Sequence, residues 1–317
     1  MCKRERVLQA MGKIMPECIQ RNYPLKQLSR FGTGGSAAYF ARVCTRTELK
    51  DCLAFASDRA VPFYILGRGS NCLISDEDFN GLVLKLAGDF CYIRFEKEQR
   101  RITAGAGASL MKLGSRIAAE GYSGMAYMGV IPGTVGGAVR NNAGTKQSSI
   151  QHHFARGLIY AAADGSIREV QHSDMAFSYR NSSLVQSKNI VLEATFTLPQ
   201  SESLQQRTAL SEIRTLREYR RRTNPKHRRT FGSTFKNPQG ADCTAGWYLE
   251  QAGMKGMCIG GARVADEHAN WIINAGTARS HDVLSLIAVA QQRVYEQFGI
   301  TLEREVVLLP EDINTWS

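Results

Sequence analysis

The chain has 317 residues, of which 43% are hydrophobic and 22% charged, with a formal net charge of +11. This is ordinary globular composition and excludes a disordered or collagen-like chain. With no apolar run of 18 residues, eight cysteines that form no CxxC pair and six histidines that form no HExxH, neither a membrane span nor a metal site is expected.

Residues 1–20 alternate charge with apolar side chains and lack a signal-peptide core, so they read as an amphipathic helix of a cytoplasmic protein with reduced, mostly buried thiols. Residues 31–35 (FGTGG) form a glycine-rich turn. A helix is expected over 47–59, where Thr45 and Glu48 have capping-box spacing and Leu49, Cys52, Leu53 and Ala56 share one face. Strands are expected at 62–66, 82–86 and 101–104. The first leads directly into Gly67-Arg-Gly-Ser-Asn71, whose backbone N–H groups and small polar side chains suit a diphosphate. A second helix covers 109–120, with Leu110, Leu113 and Ile117 inward and Gly121 as its stop.

The run from Met128 to Gly144 holds five glycines, one proline and two asparagines in seventeen residues. Val130, Ile131, Val135 and Val139 give it something to bury, so it reads as an ordered loop that lets a phosphate-bearing ligand approach the backbone. It is no Walker loop, because Ala138 and Val139 follow Gly137, and the Rossmann fingerprint G-x-G-x-x-G occurs nowhere in the chain. Three such glycine-rich loops within one unit point to a dinucleotide held at several places.

Strands follow at 156–162 and 190–198, with a hairpin signal at Asp164-Gly165. Between the later two, Phe177-Ser-Tyr-Arg-Asn-Ser182 offers Arg180 as a bidentate clamp for a carboxylate. Residues 199–203 read as a boundary. A basic helix is then expected over 204–222, with Leu210, Ile213 and Leu216 inward. The arginine-rich stretch 214–229 serves either as a solvated face or as an anion site; only Tyr219 interrupts it, where nucleic-acid binding prefers interleaved aromatics. Ser233 sits on a turn after Gly232. Without G-x-S-x-G or an arranged triad it suits proton donation better than hydrolysis. A helix over 282–298 and a strand over 305–309, opened by Glu305, complete an α+β chain.

Seven motifs now stand in order: GRGSN, GVIPGTVGGAVRNNAG, SYRNS, GSTFKNP, AGWYLEQAGMKG, IGGARVADEHANWIIN and FGI-LEREV. From about residue 25 to 309 the chain resembles the UDP-N-acetylenolpyruvoylglucosamine reductase (MurB) family, in its shorter form without a tyrosine-bearing insertion. The resemblance implies an α+β fold: an FAD-binding domain of the vanillyl-alcohol-oxidase (PCMH) type within 1–199, its core at about 33–199, and a smaller substrate-binding domain at 200–317 whose last strand returns toward the active site. It implies tightly bound FAD, reduced by NADPH, which then reduces the enolpyruvyl ether of UDP-N-acetylglucosamine. By motif, FAD falls to Gly67, Arg68, Gly69, Ser70 and Asn71, to Gly129, Ile131, Pro132, Gly133, Thr134, Gly136 and Gly137, and to Asn142, Ala143 and Gly144. Arg180 and Glu305 fall at the substrate carboxylate, Ser233 is the proton donor, and Tyr179, Lys236 and Asn237 touch substrate. Glu303 precedes Arg304 rather than Val306, which favours Glu305. A monomer without nucleic-acid or membrane partners is expected. The rivals are another flavin-dependent oxidoreductase of the same fold, such as a sugar or alcohol oxidase, and a basic nucleic-acid-binding protein.

Overall fold

The computed structural model describes residues 15–199, 206–226 and 229–312. The expected N-terminal helix falls mostly outside these residues; its end, from Ile19, is strand instead. In chain order come β1 (Ile19–Pro24), β2 (Ser36–Val43), α1 (Arg46–Asp58), β3 (Phe63–Ile65), β4 (Cys72–Ile74) and β5 (Phe79–Leu86). In the first sheet, ordered β1-β2-β5-β3, β2, β5 and β3 are parallel and β1 runs antiparallel along β2. Helix α1 forms as its residues dictate. Thr45 accepts the Glu48 N–H at 3.2 Å, while the Glu48 carboxylate accepts the Cys44 N–H at 2.6 Å, one residue before the cap. Its buried face, Leu49, Cys52, Leu53, Phe55 and Ala56, covers the sheet. Each such large apolar side chain contributes about 1.5–3 kcal/mol of burial.

Next come β6 (Ile93–Glu96), β7 (Arg101–Gly105), α2 (Leu110–Ala119), α3 (Val135–Arg140), β8 (Phe154–Tyr160), β9 (Ile167–Gln171) and β10 (Ile190–Thr197). The second sheet, β6-β7-β10-β8-β9, is antiparallel throughout. The β8–β9 hairpin turns at Asp164 and Gly165, whose φ of +70° requires glycine. The two sheets, α1, α2 and α3 enclose the largest core.

The remaining elements are α4 (Gln206–Thr223), α5 (Ala245–Gln251), β11 (Cys258–Ile259), β12 (Ala262–Val264), β13 (Ile272–Asn274), α6 (Ser280–Phe298) and β14 (Val307–Leu309). Helices α5 and α6 and the antiparallel β11-β12-β13 sheet share a second core, which also takes Phe31 and Leu73 from the first half of the chain. Strand β14 pairs in parallel with β4, Val307 against Cys72. Helix α4, beyond the expected boundary, packs Ala209 and Ile213 on Ala118, Ala126 and Val130 of the first half.

Two expectations need correction. Leu210 is 40% exposed rather than inward; Ala209 takes its place. The thiols are not mostly buried: of the described cysteines, Cys52 and Cys72 are buried, while Cys91 and Cys258 are exposed. Strands β1 and β2 were not anticipated.

Candidate active site

The two glycine-rich loops interlock. Gly67 lies against Thr134 so closely that a Cβ there would meet Thr134 Oγ1 at 2.7 Å, and the Ser70 hydroxyl donates to the Pro132 carbonyl at 3.1 Å. Thr134 also caps α3 by accepting the Gly137 N–H at 3.3 Å. Gly69, at φ +56°, is pressed on the Leu28 carbonyl, where a Cβ would stand at 2.2 Å, and its own carbonyl accepts the Arg30 N–H. Much of the close approach that the glycines permit is thus protein against protein.

Beside this junction lies a cavity of about 810 Å³, within the range of about 300–1,000 Å³ usual for small-molecule sites. Of the residues assigned to the cofactor from the sequence, Gly67, Arg68, Thr134, Gly136 and Gly137 line it and the others do not. Its wall also carries Arg30, Arg42, Lys85, Arg140 and Lys188, and no carboxylate among the described residues. Burial, then the neighbouring Arg68, lowers the Arg30 pKa; Lys85 is lowered by burial, then by Arg68 and Arg42. Cations that depress one another across a cavity call for a polyanion. A dinucleotide diphosphate fits both this charge and the glycine backbone. Arg30, Arg42, Lys85 and Arg140 were not singled out in the sequence. Arg140 alone had a signal, its place inside the glycine run. It braces the far wall, donating to the carbonyls of Val185 at 2.7 Å and Ser187 at 3.1 Å.

Of the expected substrate residues, Arg180 and Glu305 meet each other, outside the lining of this cavity. Arg180 Nε donates to Glu305 Oε1 at 2.8 Å, and Arg180 Nη2 to the Gly144 carbonyl at 2.8 Å. Arg180 Nη1 has no hydrogen-bond partner among the described residues. Burial pushes the Glu305 carboxyl above the usual carboxylate range, against the pull of Arg180 and Lys236. Residues 233–236 run antiparallel to 303–306: Phe235 bridges Arg304, Glu305 N–H donates to the Thr234 carbonyl at 2.8 Å, and Lys236 N–H to the Glu303 carbonyl at 2.9 Å. This register sets Thr234 across from Glu305, with Ser233 next in the chain and itself bridged to Trp271. The Ser233 hydroxyl has no hydrogen-bond partner among the described residues. Asn71 ties the cofactor loop to the same strand, its Nδ2 donating to the Glu305 carbonyl at 3.1 Å.

Tyr179, Lys236 and Asn237 line a second cavity of about 580 Å³ with Thr301 and Glu303. The Asn237 N–H donates to the Tyr179 hydroxyl at 3.3 Å, and Lys236 pairs with Glu303 at 2.5 Å. Of the arginine-rich stretch, Arg220 turns inward: its pKa is lowered by burial, then by Arg30 and Arg180. Gly129, by contrast, packs under Ile213 of α4, and the Asn142 side chain is bonded to Gln151 and Ser178.

Two family models match the chain. Residues 37–171 match an FAD binding domain, and residues 224–309 match the C-terminal domain of UDP-N-acetylenolpyruvoylglucosamine reductase. The reductase of that name from Protochlamydia amoebophila is 38% identical over 300 residues, covering 95% of this chain and 97% of that protein. The one from Bacillus licheniformis is 35% identical over 309 residues, covering 97% and 99%. The crystal structure of the Thermus caldophilus enzyme superposes with a TM-score of 0.77 at 32% identity, over 92% of this chain and 99% of that one. The oxidase and nucleic-acid alternatives leave the C-terminal match unaccounted for.

Proposed function

The chain belongs to the UDP-N-acetylenolpyruvoylglucosamine reductase family, and from that premise we infer how its own residues carry the reaction. It is an FAD-dependent oxidoreductase of peptidoglycan precursor synthesis, taking NADPH and the enolpyruvyl ether of UDP-N-acetylglucosamine. Bound FAD would supply hydride chemistry, taking a hydride from NADPH and giving one to the terminal methylene carbon of the enolpyruvyl group.

The chain then has two tasks: to hold the negative charge that spreads from the α carbon into the substrate carboxylate, and to protonate that carbon. Arg180 takes the first. Glu305 and Gly144 hold Nε and Nη2, which leaves Nη1 for a carboxylate oxygen. Glu305 fixes the guanidinium and, with its raised proton affinity, adds an acid at the same carboxylate. Donors fixed in advance in a dry site are worth more than in water. Ser233 takes the second task, giving its hydroxyl proton to the α carbon and recovering one from solvent. A serine is a weak acid. The cations Arg180 and Lys236, whose field already acts on Glu305, ease the transient alkoxide.

Gly67, Arg68, Gly69, Ser70 and Asn71 with Pro132, Gly133, Thr134, Gly136 and Gly137 form the FAD cradle, the diphosphate facing the cationic wall. Tyr179, Lys236 and Asn237 meet the substrate, and Arg220 meets a phosphate of UDP or NADPH. The observation that carries this reading is the 2.8 Å pair of Arg180 with Glu305, half-buried and tied to the glycine-rich loops through Gly144 and Asn71. Anaerobic stopped-flow absorbance tests it. Ser233→Ala should let NADPH bleach the flavin at the wild-type rate, yet slow reoxidation by the enolpyruvyl substrate by about 10²–10³-fold. Reoxidation near the wild-type rate would remove Ser233 from the role of donor.

A further inference from the structure

Asn142 carries a cofactor assignment in the sequence, but its side chain is occupied elsewhere. The residue is 2% exposed. Its amide oxygen accepts the Gln151 N–H at 3.0 Å, and its amide nitrogen donates to Gln151 Oε1 at 3.1 Å and to the Ser178 carbonyl at 2.7 Å. Both N–H bonds of the amide are therefore used within the protein.

Ser178 opens the turn that carries Arg180. Ser178 and Asn181 exchange both backbone hydrogen bonds, at 3.2 and 3.1 Å, which leaves Tyr179 and Arg180 at the corners. Arg180 has φ +54° there, a left-handed conformation that a residue with a side chain seldom adopts and that its surroundings must impose. Two residues beyond Asn142, the Gly144 carbonyl receives Arg180 Nη2. One short segment thus grips the turn twice, its backbone through Asn142 and its guanidinium through Gly144. The same segment begins at Thr134, Gly136 and Gly137 on the wall of the large cavity.

We propose that Asn142 is a positioning residue for Arg180: it holds the turn at Ser178 so that the guanidinium meets the substrate carboxylate. This rests on the reading of Arg180 as the cation at that carboxylate.

Two variants of the full-length holoenzyme test it. Asn142→Gly removes the amide and accepts the left-handed backbone at φ +44° without strain. Asn142→Asp keeps shape and backbone preference, but turns a carboxylate oxygen toward the Ser178 carbonyl. Flavin content and the rate of bleaching by NADPH should match wild type. Reoxidation by the enolpyruvyl substrate should slow by about 10–100-fold, the scale of a misplaced positioning group, with a raised KM. In an Arg180→Lys background, itself slow in reoxidation, Asn142→Gly should add little. An equal further loss in that background would show that Asn142 acts independently of Arg180 and overturn the proposal. So would unchanged reoxidation in the single variants, or loss of flavin from both, which would return Asn142 to the cofactor. Wild-type reoxidation by Arg180→Lys alone would instead overturn the reading of Arg180.

Discussion

A methyl group at Gly67 separates packing between the two cofactor loops from contact with the ligand. In Gly67→Ala the new Cβ lands 2.7 Å from Thr134 Oγ1 and 3.3 Å from its Cγ2. Gly67 lies outside the positive-φ region, so the strain is steric alone. Thr134 must rotate, and its hydroxyl leaves the Gly137 N–H that it caps. Loss of such a cap costs about 0.5–2 kcal/mol, and an off-rotamer escape about 0.5–1.5 kcal/mol. The expected loss is therefore about 1–3 kcal/mol. Urea denaturation followed by tryptophan emission measures it for wild type, Gly67→Ala, Thr134→Ala and the double variant. Thr134→Ala removes both offending atoms and leaves Cβ at 3.6 Å, an ordinary contact. In that background Gly67→Ala should be nearly neutral, a coupling of about 1–3 kcal/mol. An equal cost in both backgrounds refutes the interlock and makes the glycine answer to something other than Thr134.

Three further outcomes are expected. Burial raises the Glu305 pKa against the pull of Arg180 and Lys236; its contribution to stability is full below the unfolded value of about 4.3 and is lost as pH rises through the folded one. Glu305→Gln should flatten that decline in urea midpoints above about pH 4.3 while slowing reoxidation, and an unchanged slope counts against it. The Asp282 carboxylate accepts the Arg279 and Gly261 N–H groups at 3.0 Å each, which lowers its pKa. Asp282→Ala should lose about 0.5–2 kcal/mol at pH 7, and the gap to wild type should close as pH falls below about 4; a gap independent of pH denies the carboxylate its role. Leu210→Glu should change thermal stability by about 0.5 kcal/mol or less, whereas Ile213→Ala on the same helix should lose about 2–4 kcal/mol. Equal losses would place Leu210 in the core after all.

What the sequence revealed was local. Helix α1 could be read from Thr45, Glu48 and an apolar stripe because cap and stripe lie within three turns. Strand β1 could not. Its residues IQRNYP are mostly solvent-facing, and only pairing with β2 makes them a strand. On α4 the i, i+3, i+6 spacing of Leu210, Ile213 and Leu216 misled. At about 100° per residue, Ala209, Ile213 and Leu216 fall within some 60° of one another, while Leu210 lies about 90° from their centre. The active site was legible only through family motifs, since Arg180 and Glu305 lie 125 positions apart. The cations of the cavity wall escaped notice because isolated arginines and lysines carry no local pattern. Nor does one-dimensional order show that Asn142 faces Ser178 rather than a ligand.

The parallel pairing of β14 with β4 has a consequence for synthesis on the ribosome. Asn71, at the end of a cofactor loop, is anchored to the Glu305 carbonyl 234 positions downstream, and Cys72 pairs with Val307. A nascent chain that has exposed both sheets and both glycine loops still lacks the strand that anchors the first of them. Such a long-range closure comes late. Flavin capture should therefore wait for the strand at Val307, and products cut short before it should emerge colourless as well as inactive. Colour alone would then report that synthesis had passed Val307.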